Sequence, residues 1–164
     1  MNAVTYAKQG LERTFGLFNQ IADGMTPDQY NWAPGGTANA IGKTHVHAMT
    51  SVDFFINGIL AGSELRWKAF AAEQGLPANP MEIWGFSGDV SLDAMREYSK
   101  AVQQSALEHV GGLTDDDLDR EVETPFFGKQ TAAFMIGLTG IHVMGHGGDI
   151  SAVKGLQGLK GLPF

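Results

Sequence analysis

The stretch Gln130–Gly148 carries no Asp, Glu, Lys or Arg, yet it holds two histidines one helical turn apart, His142 and His146. An uncharged run of this length has few places in a folded chain: a membrane span, or a helix packed into a core. Two histidines, several glycines and few large aliphatic residues count against a span. A buried core helix is therefore expected, and residues at i and i+4 stand on one face of it. A histidine turned toward a core needs a partner for its ring nitrogens. Two of them side by side would repel each other if both were protonated. One shared transition-metal ion answers both demands.

The rest of the composition narrows what such a site can be. With 164 residues, 43% of them hydrophobic, the chain is long enough for one core, and residues 1–164 are expected to form a single domain. Cysteine is absent, which excludes disulfides, a cysteine nucleophile and cysteine-ligated zinc or iron–sulfur centres. A metal must be held by histidine, with carboxylate or water completing the shell. The net charge of −7 and the scattered basic residues argue against nucleic acid and anionic membrane as partners. Met1–Gly10 lacks a basic start followed by an apolar run, so no signal peptide is expected and a cytoplasmic protein is.

Apolar spacing predicts four principal helices. The first spans about Thr5–Ala22, with Leu11, Phe15, Phe18 and Ile21 on one side. Thr26-Pro27-Asp28 has the order of cap and first helical turn. The second long helix runs from about Asn39 to Leu60. Ser63-Glu64 is a candidate cap for a short helix through Glu73. Gly75–Gly88 reads as a long crossover with Trp84 and Phe86 tucked beneath it. Ser91 is placed to cap a third helix ending at Gly111-Gly112. Asp115–Asp117 reads as a solvated cap, and Glu121–Phe127 as a short extended segment before a turn at Gly128. The fourth helix starts near Gln130 or Thr131 and continues to about Leu156, and the glycine-spaced tail to Phe164 reads as a docked extension. The expected fold is all-α, a four-helix bundle with one long crossover and no convincing sheet, an architecture in which metal sites are built between facing helices.

Two further histidines, His45 and His47, lie in the second long helix. They stand about 200° apart on its surface, so one ion cannot use both. Spacing leaves the choice open: His45 aligns with Ile41 and Val52, His47 with Thr44, Ser51 and Phe54. The inner positions of the HxxxH pair are Val143 and Met144, so the glutamate of a zinc-protease HExxH motif is missing. No carboxylate stands at ExxH spacing, which argues against a ferritin-like di-iron site. His109, near the end of the third helix, reads as a residue facing the helix dipole.

In two segments the chain resembles the DinB/YfiT-like superfamily. The first is Ile41-Gly-Lys-Thr-His-Val-His47, followed by Ala48-Met49-Thr50-Ser51-Val52-Asp53-Phe54-Phe55. The family's acidic residue here falls one place late, as Asp53. The second is His142-Val-Met-Gly-His146-Gly-Gly148-Asp149-Ile150, with Asp149 where the family often has Gln. The closing Gly158–Pro163 run is also typical. The resemblance covers nearly the whole chain, and the order and separation of its weak motifs make it specific.

What it implies is an up-down-down-up four-helix bundle, frequently a homodimer. Its metal, zinc, nickel or iron, is held by His47, His142 and His146 with a position left open. Relatives include thiol-dependent transferases and isomerases that use a low-molecular-weight thiol. The resemblance thus points to a metal-dependent enzyme acting on a small-molecule substrate. Asp149, one turn beyond His146, is a candidate to orient a ligand or to act as a general base. The competing readings are a non-catalytic metal-binding domain and a metal-dependent hydrolase.

Overall fold

The computed structural model describes every residue, Met1–Phe164. Helix α1 (Ala3–Ile21) starts at Asn2, whose side chain accepts from Thr5 N–H at 2.9 Å. Its buried residues, Val4, Leu11, Phe15, Phe18 and Ile21, follow the spacing of one helical face. Thr26 and Gln29 form a reciprocal capping box at the start of the short α2 (Pro27–Asn31). The second long helix is α3 (Ile41–Val52), which runs on without a break as a π-helical segment, Asp53–Leu60. After α4 (Trp67–Gln74) the crossover is ordered by a 3₁₀ turn, Pro80–Gly85. Helix α5 (Leu92–Gly111) is capped by Ser91, and α6 (Ala132–Leu156) by Thr131.

Three local expectations are corrected. The extended segment before Gly128 is half of a β-hairpin, β1 (Glu121–Thr124) paired antiparallel with β2 (Gly128–Thr131), so the helical molecule does carry a small sheet. Ser63 does not cap α4. Its first N–H groups, on Arg66 and Trp67, donate to the carboxylate of Asp53 at 2.8 and 3.2 Å. Asp115 is no local cap either: it accepts from the N–H groups of Ala3 and Val4, at 3.4 and 3.0 Å, and so closes the start of α1 from across the fold. In both cases a helix end satisfies its orphan donors with a carboxylate distant in sequence, which local spacing does not reveal.

The long helices pack in a closed cycle: α1 against α5 and α6, and α3 against the same two. A Cβ on Gly140 would lie near Leu11, and one on Gly147 near Phe18 and Ile21, so α6 climbs beside α1 in the same direction. Asn19 exchanges amide hydrogen bonds with Gln103 at 2.9 and 3.0 Å, tying α1 to α5. Lys154 on α6 is buried, and its ammonium donates to the Ile21 and Asp23 carbonyls at 2.9 and 2.7 Å, closing the C-terminal end of α1. Burial lowers its pKa, against the pull of Asp23. No helix is long and apolar enough to cross a membrane.

Candidate metal centre

His45 and His47 leave α3 on different sides, and their surroundings differ completely. His45 is buried, with Tyr30 Oη 2.9 Å from Nδ1 and Ser99 Oγ 2.9 Å from Nε2. Ser99 donates its own proton to the Met95 carbonyl at 2.6 Å, so its oxygen must accept from Nε2–H. That sets the tautomer: Nδ1 carries the lone pair and accepts from Tyr30. Burial, with a smaller contribution from Arg96, lowers the His45 pKa to about 4. Gly42 makes room for this arrangement, because a Cβ there would stand 2.9 Å from the Tyr30 ring and 3.1 Å from Val90.

The Tyr30–His45–Ser99 line has the spacing of a nucleophile and its base, and His45 and Ser99 border a cavity of about 930 Å³ between α1 and α5. Its proton order is inverted for that chemistry. A general base needs its lone pair toward the serine, and here that nitrogen carries the proton. His45 is a satisfied core histidine.

His47 faces the seam between α3 and α6, where it meets His142 and His146. One ring nitrogen from each of the three lies within 4.8 Å of the others. Ring centres are 5.0 Å apart for His47–His142, 4.8 Å for His47–His146 and 4.6 Å for His142–His146. All three side chains are half-buried. Burial first, then His146 and His142, lowers the His47 pKa to about 4. Burial and His146 do the same to His142, also to about 4. Both are therefore neutral at pH 7, with lone pairs ready for a metal and no proton to displace.

Neighbouring groups orient these rings. Asp149 Oδ2 lies 2.9 Å from Nδ1 of His146, which directs that ring's proton to the carboxylate and leaves Nε2 free. Ser51, one turn after His47, donates to the His47 carbonyl at 2.8 Å and stands 3.0 Å from Nε2 of His142. Trp84, from the crossover, packs on His47 at 4.9 Å between ring centres, and Phe55 meets His142 edge-on at 6.1 Å. The four residues named from sequence, His47, His142, His146 and Asp149, are thus brought together. From sequence Trp84 has the character of a packing residue, and nothing local to it signals its place against His47. Trp32 is 40% exposed and makes no ring contact with the cluster.

Two remaining candidates are settled by their partners. The Asp53 carboxylate is engaged by Asn57 and Tyr98 as well as by the start of α4, so it is a structural acceptor and not a ligand. His109 does lie in the last turn of α5, where burial lowers its pKa and its Nε2 is buried without a partner.

The three histidines fit one divalent transition ion by donor type, number and mutual distance. The donor set alone does not select among zinc, nickel and iron.

Comparison with known proteins agrees with the fold. The chain is 24% identical over 148 residues to the uncharacterized protein YjoA of Bacillus subtilis (strain 168), spanning 89% of this chain and 85% of that one. The solved structure of that DinB-like protein superposes with a TM-score of 0.66 at 21% identity, covering 97% and 96% of the two chains. A conserved protein from Enterococcus faecalis superposes with a TM-score of 0.79 at 15% identity, covering 95% and 97%. At these identities the likeness speaks for the fold. The sequence pattern of the DinB superfamily matches residues 10–150, a span that includes all three histidines and Asp149. This chain belongs to the DinB superfamily.

Proposed function

We propose that the chain is a metal-dependent enzyme of the thiol-dependent transferase or isomerase type, acting on a small molecule at the three-histidine site. The observation that carries this reading is the cluster itself: three ligand atoms, drawn from two helices, within 4.8 Å of one another. Three protein ligands leave a position open on a four-coordinate ion, as catalytic sites do. When bound, a divalent metal there supplies Lewis acidity that lowers the pKa of a thiol or of water presented to it.

The chain's own residues do the remaining work. His47 and His142 stay neutral because they are half-buried and adjacent to another imidazole. Asp149 holds the His146 ring through Nδ1, and Ser51 braces His142 from the facing helix. Trp84 and Phe55 flank the cluster. With no cysteine in the chain, a reactive thiolate would come from a low-molecular-weight cosubstrate. Zinc, nickel and iron all suit the donor set. The packing cycle of α1, α3, α5 and α6 supports reading the fold as an up-down-down-up bundle around this site.

A non-catalytic metal-binding module is the second reading, favoured by the place of the 930 Å³ cavity, between α1 and α5 and not at the triad. A hydrolase would use the same ligands.

Elemental analysis of untagged protein, wild type beside His47→Ala, tests the site. About one metal per chain in the wild type, lost in the variant, is expected. No metal after reconstitution with zinc and nickel would overturn the proposal.

A further inference from the structure

The hairpin between α5 and α6 ends in an unusual tip. Turns of this kind favour Gly, Asn, Asp and Ser, yet this one reads Thr124-Pro125-Phe126-Phe127-Gly128. Phe126 is 70% exposed and Phe127 43%. The tip is held in place: the Thr124 hydroxyl donates to the Gly128 carbonyl at 2.9 Å and accepts from Phe127 N–H at 3.0 Å. Gln130 Nε2 donates to the Phe127 carbonyl at 2.8 Å, and Gly128 takes the positive φ of 62° that the turn needs. At the base, Arg120 donates to the Leu60 carbonyl at 3.0 Å, fastening the hairpin to the end of the π-helical segment.

So fastened, the tip extends a line of rings that begins at the histidine cluster. Phe55 meets His142; Phe54 lies 5.6 Å from Phe55; Phe126 lies 6.2 Å from Phe54. Phe127 follows at 6.3 Å and Phe134 of α6 at 5.9 Å beyond it. Phe134, Leu138 and His142 are spaced by four along α6, so the helix offers the other margin of the same strip. Phe54, Leu138 and the three outer rings are all at least partly accessible. Exposed aromatic surface that is ordered and contiguous with a ligand centre marks a recognition surface.

We propose that this strip, from Phe54 to Phe126, Phe127 and Phe134, binds the apolar arm, aryl or acyl, of the small molecule whose polar end engages the histidine cluster. The inference rests on the metal-site reading for that polar end, while the strip itself is a property of the rings. The continuity of the strip with the cluster selects a small molecule over a second copy of the chain as occupant.

Two measurements separate the strip from the metal. In the first, 4-phenylbutanol is added to metal-free protein and ¹H–¹⁵N spectra are recorded. Shifts confined to Phe54, Phe126, Phe127, Phe134 and their neighbours are expected in wild type and are lost in Phe126→Ser. Shifts elsewhere, or none, overturn the proposal even if the protein binds one metal per chain. In the second, calorimetry compares acetohydroxamic acid with 6-phenylhexanohydroxamic acid on zinc-loaded protein. The longer probe is expected to bind about tenfold tighter in wild type, from burial of one phenyl-sized apolar surface. That preference is expected to fall to less than about threefold in Phe126→Ser at unchanged zinc content. Equal affinities in the wild type overturn the proposal. Failure of zinc to bind, with the spectral shifts present, removes the metal-site reading and leaves the strip standing. Sedimentation completes the set: a wild-type dimer that Phe126→Ser converts to monomer, with no probe shifts, would make the strip a contact between copies and overturn the proposal.

Discussion

His45 has both ring nitrogens taken, one by Tyr30 and one by Ser99, whereas His47, two residues further along the same helix, is surrounded by other rings: Trp84, His142 and His146. The first environment is closed, a line of donors and acceptors from the Tyr30 hydroxyl to the Met95 carbonyl in which each proton has one place to go. The second holds three imidazoles whose lone pairs converge. Burial lowers both pKa values to about 4, so titration does not distinguish them. Partners do. A buried histidine whose hydrogen bonds are complete belongs to the fold, and converging histidines with free nitrogens are available to a ligand.

The largest effects should separate along this line. Replacing His45 by Ala leaves the Tyr30 hydroxyl and Ser99 without their partner in the core and opens a void, and is expected to cost about 3 kcal/mol of stability. Urea titration of the metal-free protein measures this, and the same titration on His47→Ala should show a clearly smaller loss. Metal content should behave oppositely, retained at about one per chain in folded His45→Ala. Loss of metal from that variant while it remains folded would break the comparison.

Acid sharpens it. His45 is held near pKa 4 in the fold, against an ordinary value of 6.5 in the unfolded chain. Between these values the unfolded chain binds the proton that the native state refuses, so stability is complete above about pH 6.5 and declines as pH falls toward 4. The loss from His45 is on the order of 3 kcal/mol across that window. Metal-free wild type should show this decline in urea midpoints, and His45→Asn should show a flatter profile. An unchanged slope in the variant would assign the acid sensitivity elsewhere.

Asp149 gives the smallest effect and tests the open side of the comparison. Its carboxylate is 64% exposed and contributes little to the core, but it holds the His146 ring. Asp149→Ala is expected to weaken metal affinity by roughly 10- to 100-fold, with stability of the metal-free protein nearly unchanged. Competition with a chromogenic chelator measures it. Affinity equal to wild type would reduce Asp149 to a surface residue.

Much of this site was legible in the residue order. The HxxxH spacing placed His142 and His146 together on one helix face, and the mostly uncharged run around them implied a helix packed against other elements. Helix ends marked by Thr26-Pro27, Ser91 and Thr131 fell where local capping chemistry puts them. Which helix starts Asp53 and Asp115 close was not legible, because the N–H groups they accept from lie on other elements. The π-helical turn after Val52 was also hidden. Trp84 reached His47 from a Gly- and Pro-rich crossover whose path no periodicity describes.

Local chemistry along the chain determined which segments become helices, and it set His142 and His146 a turn apart. It also placed His45 and His47 on different sides of α3, because that depends only on the rise and rotation of a helix. Which side would be closed and which open was decided by tertiary structure alone. Tyr30 comes from α2, Ser99 from α5 and the two remaining imidazoles from α6, and only packing of those separate elements around α3 gives one histidine its hydrogen bonds and leaves the other its lone pair.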